Sequence, residues 1–204
     1  IKFLVRELGA TEFSKLVDED WQQTKDDPDL KLNLNELESL KKDFALPIKP
    51  IDLDGFKDKV DFNYGIWKKN NVRSHKVSGY SIVNISLTKL GTAPGDATSE
   101  QMRILAKLAD EFSSGEIRTT KRQTIVFPFV RKDQVFDLWK SLEQYDLSSP
   151  HQGTLAQIVA CPGRDYCDLA KAVSIPIATR VQERFNDMNR LLDIGDLKIN
   201  ISGC

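Results

Sequence analysis

Residues 98–130 read TSEQMRILAKLADEFSSGEIRTTKRQTIVFPFV, and the fold is decided in this stretch. Thr98 with Gln101 three positions on is the signature of a capping box, in which each side chain satisfies an orphan N–H of a helix start. Met102, Leu105, Leu108, Ala109 and Phe112 then recur at helical spacing, and Ser113–Gly115 stops the pattern. Two strand-like pieces follow, Glu116–Thr120 and Gln123–Val130, rich in β-branched and aromatic residues. Immediately upstream, Gly79–Leu87 (GYSIVNISL) alternates like a strand, with a Gly- and Pro-bearing loop at Lys89–Asp96. Downstream, Val135, Leu138, Trp139 and Leu142 mark a second helix. Strand, helix, two strands, helix is the order of an α+β fold, and residues 51–150 are expected to form a ferredoxin-like half-domain.

The flanks obey other rules. Before the half-domain, Phe3, Leu4 and Leu8, then Phe13, Leu16 and Val17, give two short helices on either side of Gly9. A third is expected near Asn35–Phe44, capped by Asn35 with Glu38, before Pro47 and Pro50 open a linker. These helices read as packing elements without a site. After the half-domain, Thr154–Ala160 reads as a buried strand that runs into Cys161-Pro-Gly-Arg-Asp-Tyr-Cys167. Leu169, Ala172, Val173, Ile177, Val181 and Phe185 predict a helix, kinked or split at Pro176. Gly195 then precedes a last strand, Leu197–Ser202. Strand, helix, strand predicts a βαβ unit with the cysteines gathered at one end of its sheet. No internal repeat is visible.

Composition narrows the function classes. The chain has 204 residues, 29 basic against 30 acidic, and 40% hydrophobic content, as expected of a globular protein. A net charge of −1 and a pI near 6.2 argue against a nucleic-acid partner held by bulk electrostatics. No apolar run approaches the roughly 20 residues of a membrane helix, and the start lacks a signal-peptide pattern. An odd count of three cysteines disfavours a secreted disulfide framework, which points to the cytoplasm. The chain opens at Ile1 and stops on Cys204, so a piece of a longer protein is expected.

Three features carry chemistry. Cys161, Cys167 and Cys204 all fall in the last quarter of the chain, and clustered thiolates are soft ligands suited to zinc or to iron–sulfur. Zinc knuckles use tighter spacings than the five residues between Cys161 and Cys167, although His151 would complete a Cys₃His set. Buried structural thiols and redox-active cysteines are the other readings. Arg118-Thr-Thr-Lys-Arg-Gln-Thr124 places three cations and an amide in one turn, able to grip carboxylates or another small anion, or else to serve as a solvated hairpin tip. The run Trp67–Lys76 mixes cations with His75 and reads as a polar loop. An RNA-recognition module would require exposed aromatics on the middle strand, where Phe127 and Phe129 alternate.

CPGRDYC, followed by a helix and then NISGC, resembles the cluster-binding part of the sirohaem-dependent nitrite and sulfite reductases. The resemblance extends upstream through SGYSIVNISL and the opening stretch above, similar to the second ferredoxin-like half of that family. IKFLVRELGATEFSKLV is similar to the closing helices of the preceding sirohaem-binding lobe. The resemblance implies that residues 1–50 are the helical tail of that lobe and a linker, and that 151–204 begin the lobe binding [4Fe–4S] and sirohaem. It implies that Cys161, Cys167 and Cys204 are three of four cluster ligands, with the fourth four positions beyond Cys204. Arg118, Lys121, Arg122 and Gln123 match the segment lining the sirohaem cavity, whose carboxylates need cationic partners once buried. Arg122 departs from the acidic or neutral residue common in the bacterial branch. The implied reaction is a six-electron reduction of sulfite to sulfide or nitrite to ammonia, with electrons from ferredoxin or a flavoprotein. The piece alone is expected to be inactive and, with a sheet face uncovered, to self-associate. A small structural zinc protein and an RNA-recognition-like module are the alternatives.

Overall fold

The computed structural model describes residues 1–31 and 33–204. They form two units, residues 1–47 and 48–204. In the first, helices α1 (Lys2–Leu8) and α2 (Ala10–Thr24) are separated at Gly9, as the sequence predicts. Helix α3 (Leu34–Asp43) is capped two residues before Asn35, by Asn33, whose side-chain oxygen accepts from the N–H groups of Asn35 and Glu36. Helices α1 and α2 bury no residue, so the expected packing role is not exercised within this unit.

The second unit is built on an antiparallel four-stranded sheet in the order β1-β2-β4-β3. The strands are β1 (Val72–Ser74), β2 (Tyr80–Ser86), β3 (Arg118–Thr119) and β4 (Thr124–Arg131). Helices α4 (Phe62–Asn71), α5 (Ser99–Phe112) and α6 (Val135–Glu143) contribute to one hydrophobic core with it. Strands β2 and β3 each pair antiparallel with β4 between them, so they run parallel to one another around α5. That is the split βαβ arrangement of a ferredoxin-like half, and the expected α+β class holds. The other edge of β2 is taken by β1, which precedes it in the chain.

Both bonds of the Thr98–Gln101 capping box are made. Leu105, Leu108, Ala109 and Phe112 of α5 pack with Val135, Leu138, Trp139 and Leu142 of α6 against Val83, Ile85 and Phe127 of the sheet. Pro128, which has no N–H to donate, sits in the middle of β4, where the register shifts by one residue: Ser81 faces Val130 while Val83 faces Phe127. The N–H of Phe129 in this bulge is satisfied by the buried hydroxyl of Ser113.

The run Trp67–Lys76 is not a polar loop: it supplies the end of α4 and all of β1, and Trp67 lies in the core. Phe127 and Phe129 are buried, with the Arg118 guanidinium and the His75 ring against Phe129, so β4 offers no exposed aromatics for RNA bases to stack on.

Beyond the half-domain, β5 (Ile158–Ala160) and β6 (Ile199–Ile201) pair in parallel, with Ala160 opposite Ile201. The crossover holds α7 (Ile175–Arg184) and α8 (Met188–Ile194). The strand expected over Thr154–Ala160 is shorter because residues 151–157 turn. Pro176 lies in the first turn of α7, where its missing N–H is an orphan anyway, and it therefore starts the helix instead of kinking one.

Candidate functional site

Cys161 follows β5 directly, and its backbone N–H extends the parallel pairing to Ile201 O at 3.0 Å. From there Cys161-Pro-Gly bends back through a 3₁₀ turn at Gly163–Asp165. The Ser202-Gly-Cys204 end of the chain runs alongside. Gly203 donates its N–H to the Cys161 sulfur at 3.0 Å, while its carbonyl accepts from Lys171 and Ala172 at 2.7 and 3.0 Å. Arg164 N–H donates to Ala172 O at 3.0 Å, which closes the stitching.

This close weave requires glycine at two places. A Cβ on Gly203 would stand 2.5 Å from Ala172 O and 3.0 Å from Gly163 Cα. Gly163, with φ +68°, would push one to 2.7 Å from Ser174 N. Ser174 precedes α7 but makes no capping bond; its fully buried hydroxyl lies 3.3 Å from the Cys161 sulfur. The Ser174 hydroxyl and the Gly203 N–H together hold the Cys161 thiol below its ordinary pKa, favouring the thiolate that binds soft metals.

Cys167 is half-buried and Cys204 exposed, and all three thiols are free. The loops of Cys161 and Cys204 are laced together at one end of the β5–β6 pair. Among the described residues, no group of three or more His, Cys, Asp or Glu is arranged to hold a metal ion, and His151 is not joined to the cysteines in a Cys₃His site. His151 is half-buried, its Nδ1 has no partner, and burial lowers its pKa. The Cys161 sulfur, hydrogen-bonded as a thiolate would be, has the chemistry of a soft-metal or iron–sulfur ligand.

The cationic turn sits between β3 and β4. Arg118 is exposed, pairs with Glu116 at 2.6 Å and lies over the Phe129 ring. Lys121 is exposed and Arg122 half-buried; neither has a carboxylate within 4 Å among the described residues. Gln123 departs from the rest of the turn. Its side-chain amide donates to Ala160 O at 2.8 Å and accepts from Ala160 N–H at 3.1 Å, at the residue before Cys161. A cleft of about 230 Å³ opens beside this pair, lined by Pro94, Asp96, Gln123, Ala160, Pro162 and Tyr166, among others. Sequence reasoning finds the cysteines and the turn but misses Ser174, whose role depends on a contact 13 residues away.

Comparison with known proteins finds relatives of the half-domain. Residues 86–145, from the end of β2 to the end of α6, match the family model described as the nitrite/sulfite reductase ferredoxin-like half domain. The half-domain of this chain thus resembles that of the nitrite and sulfite reductases. It is 31% identical over 127 residues to the chloroplastic ferredoxin–nitrite reductase of Zea mays, covering 58% of this chain and 21% of that one. It is 31% identical over 178 residues to the assimilatory ferredoxin-dependent nitrite reductase of Haloferax mediterranei, covering 82% of this chain and 28% of that one. The solved structure of the Mycobacterium tuberculosis NirA protein aligns over 100% of this chain and 32% of its own, with TM-score 0.45 and 22% identity. The chain thus spans between 21% and 28% of the length of these two curated relatives.

Proposed function

We propose that this chain supplies the second ferredoxin-like half and part of the cofactor-binding lobe of a reductase that carries six electrons to nitrite or sulfite. The observation that carries the reading is the lacing of the Cys161 loop to the Ser202-Gly-Cys204 segment through the Cys161 sulfur and Gly203 N–H.

In this reading Cys161, Cys167 and Cys204 are thiolate ligands of a [4Fe–4S] cluster. Arg118, Lys121 and Arg122 are the residues that meet the sirohaem, and Gln123 of the same turn holds the Ala160 backbone beside them. A bound cluster would supply electrons one at a time, and the sirohaem iron would supply the place where the anion binds. The chain's own residues do the rest. Ser174 and Gly203 keep the Cys161 sulfur charged and oriented by donating to it. The cations of the turn neutralise buried carboxylates, which would otherwise carry a desolvation cost of several kcal/mol each. No residue of this chain is assigned as a proton donor.

The relatives' names support ferredoxin as the electron donor and nitrite or sulfite as the substrate, and a flavoprotein donor stands as the other candidate. A cytoplasmic location belongs to the same proposal. Residues 1–204 alone are expected to be inactive, since they span so little of the relatives' length.

The test is turnover by the intact reductase with reduced ferredoxin, following nitrite and sulfite consumption separately. Consumption of either anion supports the reading, and consumption of neither overturns it. Turnover by residues 1–204 alone would contradict the part concerning inactivity.

A further inference from the structure

Gln123 closes the β3–β4 turn in a left-handed backbone conformation, φ +55°, which a non-glycine residue adopts at a cost of order 1 kcal/mol or more. Two things hold it there. Its N–H donates to Thr120 O at 3.1 Å. Behind it, Gly95 approaches so closely that a Cβ on Gly95 would lie 2.8 Å from Gln123 Cβ.

What the strained turn delivers is the side-chain amide. Along β5, successive peptide groups point to opposite sides. Cys161 N–H points towards β6 and bonds Ile201. Ala160, one residue earlier, turns its N–H and C=O to the edge that β6 does not cover. The Gln123 amide meets both groups there, one as acceptor and one as donor, as a neighbouring strand would. Ala160 is buried, so without Gln123 these two groups would lack partners. A glutamate at this place could accept but not donate, and an alanine could do neither.

We infer that Gln123 is a positioning residue, whose amide fixes the Ala160–Cys161 backbone in register with the cationic turn and so ties a thiolate ligand to the grip on the cofactor's carboxylates. The naming of Cys161 as a ligand and of Arg118, Lys121 and Arg122 as the grip rests on the function proposed above; the backbone role of Gln123 does not.

The experiment measures backbone hydrogen exchange at Ala160 in the 204-residue chain, for the wild type, Gln123→Ala and Gln123→Glu. Gln123→Ala is expected to speed Ala160 exchange about tenfold or more, the loss expected when buried peptide groups are stripped of partners. Exchange in the core of β2 should stay unchanged. Gln123→Glu should fall between the wild type and Gln123→Ala at pH 8, because its carboxylate can accept from Ala160 N–H but leaves Ala160 O without a donor. It should recover protection, after correction for intrinsic rates, as the pH falls toward about 4 and the carboxyl regains a donor. In parallel, Cys161 should be alkylated several-fold faster in Gln123→Ala than in the wild type, relative to Cys204. Unchanged Ala160 exchange in Gln123→Ala, or no recovery of Gln123→Glu on acidification, overturns the inference. Iron and sulfide uptake by the wild type, with an exogenous thiol standing in for the fourth ligand, tests the cluster reading separately: none taken up, with the exchange results as expected, leaves the role of Gln123 standing and removes the cluster.

Discussion

The sulfur of Cys161 accepts a hydrogen bond from the N–H of Gly203 at 3.0 Å, between residues 42 apart in sequence. With the Ser174 hydroxyl also 3.3 Å from it, this sulfur is fixed at the point where the loops after β5 and β6 meet. Donors aimed at a thiolate stabilise its charge and restrict its direction, which is what a metal-bound sulfur requires of the shell around it.

Gly203→Ala is expected to break that meeting point. The new methyl would stand 2.5 Å from Ala172 O, and backbone there cannot yield cheaply. The cost should be about 1–3 kcal/mol, read as a lower urea midpoint. An unshifted midpoint would show that the loops are not as close as described.

Ser113→Ala should cost about 1–3 kcal/mol, because it leaves the Phe129 N–H of the Pro128 bulge buried without an acceptor. Ser113→Thr keeps the hydroxyl and should recover part of the loss. Equal stability of Ser113→Ala and the wild type in urea would contradict this account of the bulge.

Tyr64 predicts an alkaline limb. Burial first, then the Asp58 carboxylate that accepts its hydroxyl proton at 3.0 Å, raise its pKa well above 10. The folded state therefore keeps a proton that the unfolded chain releases, so the stabilisation is intact below about pH 10 and is lost as the pH rises beyond it. Urea midpoints measured upward from pH 9 should fall less steeply in Tyr64→Phe than in the wild type. Parallel slopes would contradict the shift.

His151 predicts the opposite limb. Burial lowers its pKa, so its contribution is present above the unfolded value of about 6.5 and is lost as the pH falls below it. The imidazole signal in NMR should titrate at lower pH than that of a histidine peptide. Titration at or above the peptide's value would contradict the prediction.

Phe3, Leu4, Leu16, Val17 and Trp21 are exposed on α1 and α2, which bury nothing. The 204-residue chain is therefore expected to self-associate as its concentration rises, measured by light scattering. A monomer at all concentrations would contradict it.

The half-domain was legible where local signals and tertiary burial agree. Thr98 and Gln101 name their own helix start, and Leu138 and Trp139 recur with the period that the core uses. Helix α4 was not legible. FNYGIWKKNN holds a glycine and three asparagines, poor helix formers, and it is held instead by the Asp61 cap and the burial of Tyr64 and Trp67. Pro176 carried a usable signal, since proline favours the first helical turn, but the apolar spacing before it suggested a longer helix. At the candidate site the cysteines announce themselves by type and spacing. Ser174 does not, nor does the bonding of Gln123 to Ala160, because these partners lie 13 and 37 residues apart and only the folded chain brings them together.

The central claim is that the thiols of Cys161, Cys167 and Cys204 are cluster ligands. The most direct test is anaerobic reconstitution of the chain with iron and sulfide, in the presence of an exogenous thiol to complete the ligand set, followed by iron and sulfide analysis. The account predicts a brown protein with equal iron and sulfide, lost when Cys161, Cys167 or Cys204 is replaced by alanine. A colourless protein that retains stoichiometric zinc, or colour that survives all three replacements, would contradict it.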